Sequence, residues 1–367
     1  MRSPALSRRR MLSLAGASFL ATSLPPSFSA TTERRVSSRG VNLPGWFDRE
    51  DGLAPAQAVL EKLRRSGFET IRLPIDGDVV LSGATALRRI EEGVAALVAA
   101  GFAVLADLHP STGLHAALRT DPEVGGARVV AAWSALRSVI ADLPADRVYP
   151  ELLNEPPMAR AAWLSLRDRL AETVRAACPH HIVIWGPAPD HGIWQLDGTP
   201  PLDDDRQIAA VHFYAPMAFT HQCQSWGASP LARIRGLPFP ATRDMPIVAK
   251  RIAALRAAGD EAAALLVEEQ LTTDWTEAAI DAEFEKAAGW SAATRCPVML
   301  NEFGVLDFCV DAASRTAWVR AVRRAAEARG IGWAYWELDQ GFGFIESRTS
   351  TEGFDSTMLH ALFGTGG

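Results

Sequence analysis

From residue 36 onward, short apolar runs alternate with stretches whose apolar positions recur at helical spacing. Residues 36–43 read as a strand. Ala56, Val59, Leu60 and Leu63 then fall roughly at i, i+3, i+4 and i+7, Pro55 suits a first helical position, and Gly67 offers the left-handed conformation that ends a helix. A second strand is predicted at 70–74. The cycle repeats: Leu87, Ile90, Val94, Leu97 and Val98 mark one helix face, Gly101 stops it, and 102–108 re-enter a strand. Further strands are predicted at 148–153, 181–185, 207–213, 297–301 and 331–336, with helical segments around 127–141, 159–177, 277–289 and 312–329.

Continuous apolar strands joined by helices indicate a parallel sheet covered on both faces. Eight such units in a chain of 367 residues favour an α/β fold of the (β/α)8 TIM-barrel type over an open doubly wound sheet. No glycine-rich dinucleotide or phosphate fingerprint follows the first strand. One spacing breaks the rhythm. Roughly 80 residues separate the sixth strand from the seventh, far more than a parallel crossover requires. A helical insertion after strand 6 is therefore expected at about 215–275, including a helix at 246–258, placed to wall one side of a cleft. Residues 31–367 read as a single domain without linker or internal repeat.

In a barrel, residues just past the strand C-termini converge on one face. Here these are Asn42 and Trp46, Arg72, His109, Asn154 and Glu155, His212 and Tyr214, Glu302, and Trp336, from seven of the eight strands. The fifth strand ends in Trp185, with Trp194 in its loop. Glu155 and Glu302 each follow a run that reads as a buried strand. A pair of carboxylates brought together by barrel closure is the minimal equipment for cleaving a glycosidic bond. A retaining mechanism needs them about 5 Å apart, one protonated to donate to the leaving oxygen and one ionised to attack. A cation such as Arg72 beside Glu302 would favour its ionised form, while less favourable ionic surroundings would raise the pKa of Glu155.

Seven segments carry a family resemblance. Arg39-Gly40-Val41-Asn42-Leu43, Ile71-Arg72-Leu73-Pro74, Asp107-Leu108-His109, Leu153-Asn154-Glu155-Pro156, His212-Phe213-Tyr214, Asn301-Glu302-Phe303-Gly304 and Trp336 occur in the order seen in glycoside hydrolase family 5. Over roughly residues 36–345 the chain resembles this cellulase-like family of clan A retaining glycosidases. The resemblance implies that Glu155 is the general acid/base and Glu302 the nucleophile. It implies that Asn154 contacts the sugar 2-hydroxyl and that Tyr214 hydrogen-bonds the nucleophile. Arg72, His109 and His212 match residues that order the two carboxylates, and Trp336 matches the platform under the sugar at the cleavage subsite. Trp46, Trp194 and Trp226 are candidates for sugar stacking or simply for packing. His109 is followed by Pro110, a departure from the family pattern, and Glu337, Asp339 and Gln340 either bind a sugar hydroxyl or shape their loop.

The activity so implied is a retaining β-glycosidase acting on a β-linked glucan, with an endo-β-1,4-glucanase as the leading form. A β-mannanase, an exo-β-1,3-glucanase, a polysaccharide-remodelling transglycosylase and a catalytically silent glycan-binding barrel are the alternatives. The expected partner is a polysaccharide or oligosaccharide, the expected state a monomer, and no cofactor or metal is expected.

Composition changes this picture little, with 48% hydrophobic and 22% charged residues. The net charge of −6 argues against nucleic acid as a partner, and no uninterrupted apolar run beyond the N-terminus reaches membrane-spanning length. The N-terminus matters more. Ser7-Arg8-Arg9-Arg10-Met11-Leu12 resembles the twin-arginine export motif, and a modestly apolar stretch, Pro25-Pro26 and small residues near 29–31 follow it. A signal over residues 1–30 and a periplasmic or secreted protein are expected; a basic N-terminal tail is the alternative. Cleavage after Ala30 would remove four arginines and no acid, taking the net charge from −6 to −10. Export would place Cys178, Cys223, Cys296 and Cys309 in an oxidising compartment. Their spacing suggests no metal site. Cys223 and Cys309, beyond successive strands on one face, either pair or remain semi-buried thiols.

Overall fold

The computed structural model describes residues 39–49 and 51–364; the expected export segment at 1–30 lies outside them. Eight strands, β1 (Arg39–Asn42), β2 (Thr70–Asp76), β3 (Ala103–His109), β4 (Val148–Glu151), β5 (Val183–Trp185), β6 (Gln207–His212), β7 (Val298–Glu302) and β8 (Trp333–Tyr335), run parallel in sequence order. The sheet closes because β1 pairs with both β2 and β8. This is a (β/α)8 TIM barrel.

Strand alternation divides the interior into two layers. Ala103 and Leu105 of β3, Tyr149 of β4, Ile184 of β5, Ile208 and Ala210 of β6, Met299 of β7 and Ala334 of β8 form a separate apolar cluster within the barrel. Moving two or four residues on along several of these strands gives Asp107, Glu151, His212 and Asn301, all buried. The period of two that makes an apolar plug therefore also builds a polar layer above it. The other strand face packs against the helices. Helix Gln57–Arg65 buries Val59, Leu60 and Leu63, and helix Ala84–Ala99 buries Ile90, Val94 and Leu97. Helix Gln57–Arg65 begins later than Pro55 suggested, because Ala56 is still extended and serves as its cap. Gly67 does take a positive φ of 104°, and a side chain there would press on the Phe363 ring.

Helix Pro122–Ala141 is long and apolar enough to cross a membrane. Val129, Ala132, Trp133, Leu136 and Ile140 bury that apolar surface in the main hydrophobic core. Its start, five residues before the expected one, is set by Asp121, whose side chain accepts from the Val124 N–H, and by Pro122 in the first turn.

Between β6 and β7 the chain forms helices Met217–Thr220, Pro246–Ala257, Glu261–Gln270 and Glu277–Thr294, with a short 3-10 turn at Pro230–Arg233. A disulfide joins Cys223 in this segment to Cys309 beyond β7 across 86 residues of sequence, whereas Cys178 and Cys296 are buried thiols. Closing a loop of that length removes roughly 4–5 kcal/mol of unfolded-state entropy in the chain-entropy account.

Candidate active site

Arg72 is the hub of the polar layer. Its position on β2 is in register with Asn42 of β1, and β3 and β4 set Asp107 beside Glu151. The fully buried guanidinium donates through Nε and Nη2 to the two Glu151 oxygens, at 2.9 and 2.8 Å. Nη1 donates to Glu302 Oε1 at 2.6 Å and to Asn42 Oδ1 at 2.9 Å. Nη2 also donates to Asn154 Oδ1 at 2.8 Å and lies 3.1 Å from Asp107 Oδ2. Burial opposes this charge, but Asp107, Glu151 and Glu302 outweigh it and hold the guanidinium pKa well above its ordinary value. Glu151 is closed off by a further bond from Asn301 Nδ2 at 2.7 Å. Fork geometry and constant charge make arginine the residue suited to such a site.

Glu302, the last residue of β7, is buried. Arg72 holds one of its oxygens, and the Tyr214 hydroxyl donates to the other, Oε2, at 2.9 Å. Burial, reinforced by the Glu302 charge, pushes the Tyr214 pKa well above 10, so the phenol remains a donor. Both bonds suit a carboxylate held in place and aimed.

Glu155 has different surroundings. It follows β4 with φ at +41°, a conformation a non-glycine residue adopts only when its surroundings hold it there. Its side chain remains 36% exposed, towards the cleft. Its direct side-chain partner is His212, whose Nδ1 lies 2.7 Å from Oε1. Desolvation raises the Glu155 pKa, with His109 and Arg72 pulling against it. Desolvation also lowers His212 to about 4, so its ring is neutral at ordinary pH. An oxygen of Glu155, an oxygen of Glu302 and a ring nitrogen of His212 lie within 4.8 Å of one another. That separation is close to the carboxyl spacing of a double displacement and shorter than that of an inverting pair.

His109 Nδ1 lies 2.8 Å from Asp107 Oδ2, and Asn154 Nδ2 lies 3.3 Å from His109 Nε2. Burial lowers the His109 pKa, but Asp107 more than offsets this and the net direction is up. The His109 and Trp336 rings lie nearly parallel with centroids 5.9 Å apart.

Glu155 and Glu302 open into a cleft of about 850 Å³ that also contains His109, Asn154, His212, Tyr214, Trp194, Trp226 and Trp336 among its lining residues. Trp194 and Trp226 are 56% and 48% exposed, the former in the β5 loop and the latter in the segment between β6 and β7. Met217, His221, Gln224 and Gln270 from that segment line the cleft as well. Trp46 does not line it: the ring is stacked on Phe47, is only 9% exposed and lies against Gly93, so it packs where stacking on a sugar was a candidate role. Glu337 shapes its loop, accepting from the backbone N–H groups of Asp339, Gln340 and Phe342, and Asp339 pairs with Arg348.

Sequence reasoning overlooked two members of this site. Glu151 could have been noticed as an acid within a run otherwise suited to burial. His191 fills the place left empty at the fifth strand, approaching His212 from the β5 loop with Nδ1 3.4 Å from His212 Nε2. A histidine six residues beyond a strand end carried no local signal.

The fold agrees with comparisons to known proteins. Endoglucanase 3 of Fibrobacter succinogenes is 26% identical over 348 residues, covering 88% of this chain and 52% of the relative. Cellodextrinase A of Ruminococcus flavefaciens is 24% identical over 209 residues, covering 51% of this chain and 61% of the relative. The chain thus spans about half to three fifths of the length of these relatives. An endoglucanase from the hyperthermophilic Thermotoga maritima superposes with a TM-score of 0.73 at 23% identity, covering 90% of this chain and 99% of that structure. Cellulose synthase subunit Z from Clostridioides difficile gives 0.71 at 21%, covering 89% and 99%. These two structures share the fold. The family model for cellulase, glycosyl hydrolase family 5, matches residues 29–341, and the chain belongs to that family.

Proposed function

We propose that this protein is a retaining glycoside hydrolase of the endo-β-1,4-glucanase type. The observation that carries the reading is the pair Glu155 and Glu302, with oxygens within 4.8 Å of one another in one cleft. Glu302 attacks the anomeric carbon while Glu155 gives its proton to the departing glycosidic oxygen. The glycosyl ester on Glu302 no longer carries the carboxylate charge, so Glu155 remains ionised more readily and takes a proton from water. That water attacks the same carbon and frees Glu302. The neutral His212 and the desolvation that raises Glu155 support the acid role, and the Arg72 and Tyr214 bonds support the nucleophile role. Family membership and the endoglucanase relative favour a β-1,4-glucan as substrate.

A second reading, action on short cellodextrins or from chain ends, draws on the β6–β7 segment walling the cleft and on the cellodextrinase relative. Products from β-1,4-glucan, β-1,3-glucan, mixed-linkage glucan and mannan separate these readings. Internal cuts yielding mixed oligomers from β-1,4-glucan are expected; release only of mono- or disaccharides favours the second reading. A 2-fluoro glycoside should label Glu302 and leave Glu302→Gln unlabelled, and a label on another residue would overturn the assignment.

Export through the twin-arginine motif, action as a monomer and a polysaccharide partner belong to the same proposal. Replacing Arg8 and Arg9 together by Lys should leave precursor in the cytoplasm, and unchanged export would remove that part of it.

A further inference from the structure

His191 is fully buried and its ring stands edge-on to His212, with centroids 4.8 Å apart and planes at 77°. The approach is built in twice. The His212 N–H donates to the His191 carbonyl at 2.8 Å. Gly186, just past β5, leaves the space that the His191 ring fills, since a Cβ at Gly186 would lie 2.3 Å from His191 Cδ2. His191 itself is held at φ +53°.

The proton positions follow from what surrounds the two rings. His212 Nδ1 faces Glu155 Oε1 at 2.7 Å and Glu302 Oε2 at 3.4 Å. Two carboxyl oxygens converging on one nitrogen favour a hydrogen there and disfavour a bare lone pair. A neutral imidazole protonated on Nδ1 has an acceptor at Nε2. His191 Nδ1 lies 3.4 Å from that acceptor, so its hydrogen belongs on Nδ1. The Leu153 backbone also favours a hydrogen on the His191 ring; because Nε2 meets no hydrogen-bond partner, that hydrogen is assigned to Nδ1 and Nε2 is left bare.

We propose that His191 is a positioning residue that fixes His212 in the Nδ1–H form, and so keeps the acid proton of Glu155 on the oxygen that His212 does not engage. With His212 donating to Oε1, the proton of Glu155 stays on Oε2 and available to a leaving group. In the opposite tautomer a bare Nδ1 would accept the carboxyl proton through Oε1 and withdraw it from the substrate. The Nδ1–H bond also stabilises the Glu155 carboxylate when it later activates water. This inference rests on the proposed acid/base role of Glu155. The charged and titratable groups facing the trio are Arg72, Asp107, His109, Tyr214 and Glu302, with Asp190 and His115 also acting on Glu155.

Nitrogen NMR of the imidazoles in the substrate-free wild-type protein reads the tautomer directly and requires no activity. His212 protonated on Nδ1 is expected; protonation on Nε2 overturns the proposal. His191→Leu should mix the tautomers and move the Glu155 titration, and with it the basic limb of the kcat/KM profile, upward by about one pH unit, a tenfold change in proton affinity. Its kcat/KM should fall more on unactivated glucan than on an aryl glycoside with a good leaving group. Gly186→Ala should displace the ring and give the same signature. His191→Asn, which can present an amide N–H near the lost Nδ1–H, should restore the wild-type tautomer and pH profile. A Leu variant with an unmoved profile, or Leu and Asn variants that behave alike, refutes the role. If the wild-type enzyme cleaves no glycoside, the functional reading fails, while the NMR result still decides the tautomer.

Discussion

Arg72→Met is the most informative single perturbation. It keeps much of the side-chain volume and removes a cation that contacts three carboxylates at 2.6–3.1 Å, all buried. Removing one partner of a buried ion pair costs about 3–5 kcal/mol, because the remaining charge is uncompensated. With an unfolding entropy of roughly 2.1 cal/mol/K per residue, a protein of this size loses about 4–7 °C in Tm. The pH dependence carries the sharper test. Burial already raises Glu151 despite its Arg72 partner. Without the cation, the clustered acids hold protons in the folded state at pH values where the unfolded chain has released them. When the folded state binds more protons, stability falls as pH rises. The window opens near the unfolded acid pKa values of about 4 and extends upward. Thermal unfolding of wild type and variant should therefore show a smaller Tm deficit at pH 5 than at pH 8. An equal deficit at both, or a larger one at pH 5, would refute the view that Arg72 acts through its charge. Activity should fall about 100-fold or more, since a positioned donor is lost from the nucleophile. Arg72→Lys should recover part of the pH dependence but little activity, because an ammonium cannot span Glu151 and Glu302 together.

Two further substitutions divide the labour of the carboxyl groups. Glu155→Ala should slow cleavage of natural glucan by about 10²- to 10⁴-fold, spare the first step on an activated aryl glycoside, and abolish the basic limb of the pH profile. In the wild type that limb should lie above the usual carboxylate range, because desolvation raises Glu155; equal losses on both substrates would remove the acid role. Tyr214→Phe deletes the 2.9 Å bond to Glu302 Oε2 and should lower kcat by roughly 10- to 100-fold, as expected for a hydrogen bond to a charged group. An unchanged kcat would show that the bond does not aim the nucleophile.

The amino-acid sequence determined the rhythm of the fold, because periods of two and of 3.6 are written in consecutive residues. It also placed His109, Asn154, Glu155, His212, Tyr214, Glu302 and Trp336 at or just past strand ends, since each sits on or just after an apolar run that can be recognised without its neighbours; Arg72 was expected there too but lies inside β2, with four strand residues after it. Partnership was less legible. Glu151 gains its meaning from Arg72 and Asn301 on other strands, and a strand read alone does not say which buried acid has a cation across the barrel. His191 lay hidden because a loop with φ at +53°, seated over Gly186, turns it back towards His212. Indole chemistry alone did not separate Trp46, stacked on Phe47, from Trp194 and Trp226, which line the cleft. Likewise, four cysteines offered several fates, and only the meeting of the β6–β7 segment with the loop after β7 selected Cys223 and Cys309. Local periodicity sets each element because neighbouring residues share one backbone; barrel closure sets the site because its electrostatics depend on distances between residues as far apart as Arg72 and Glu302.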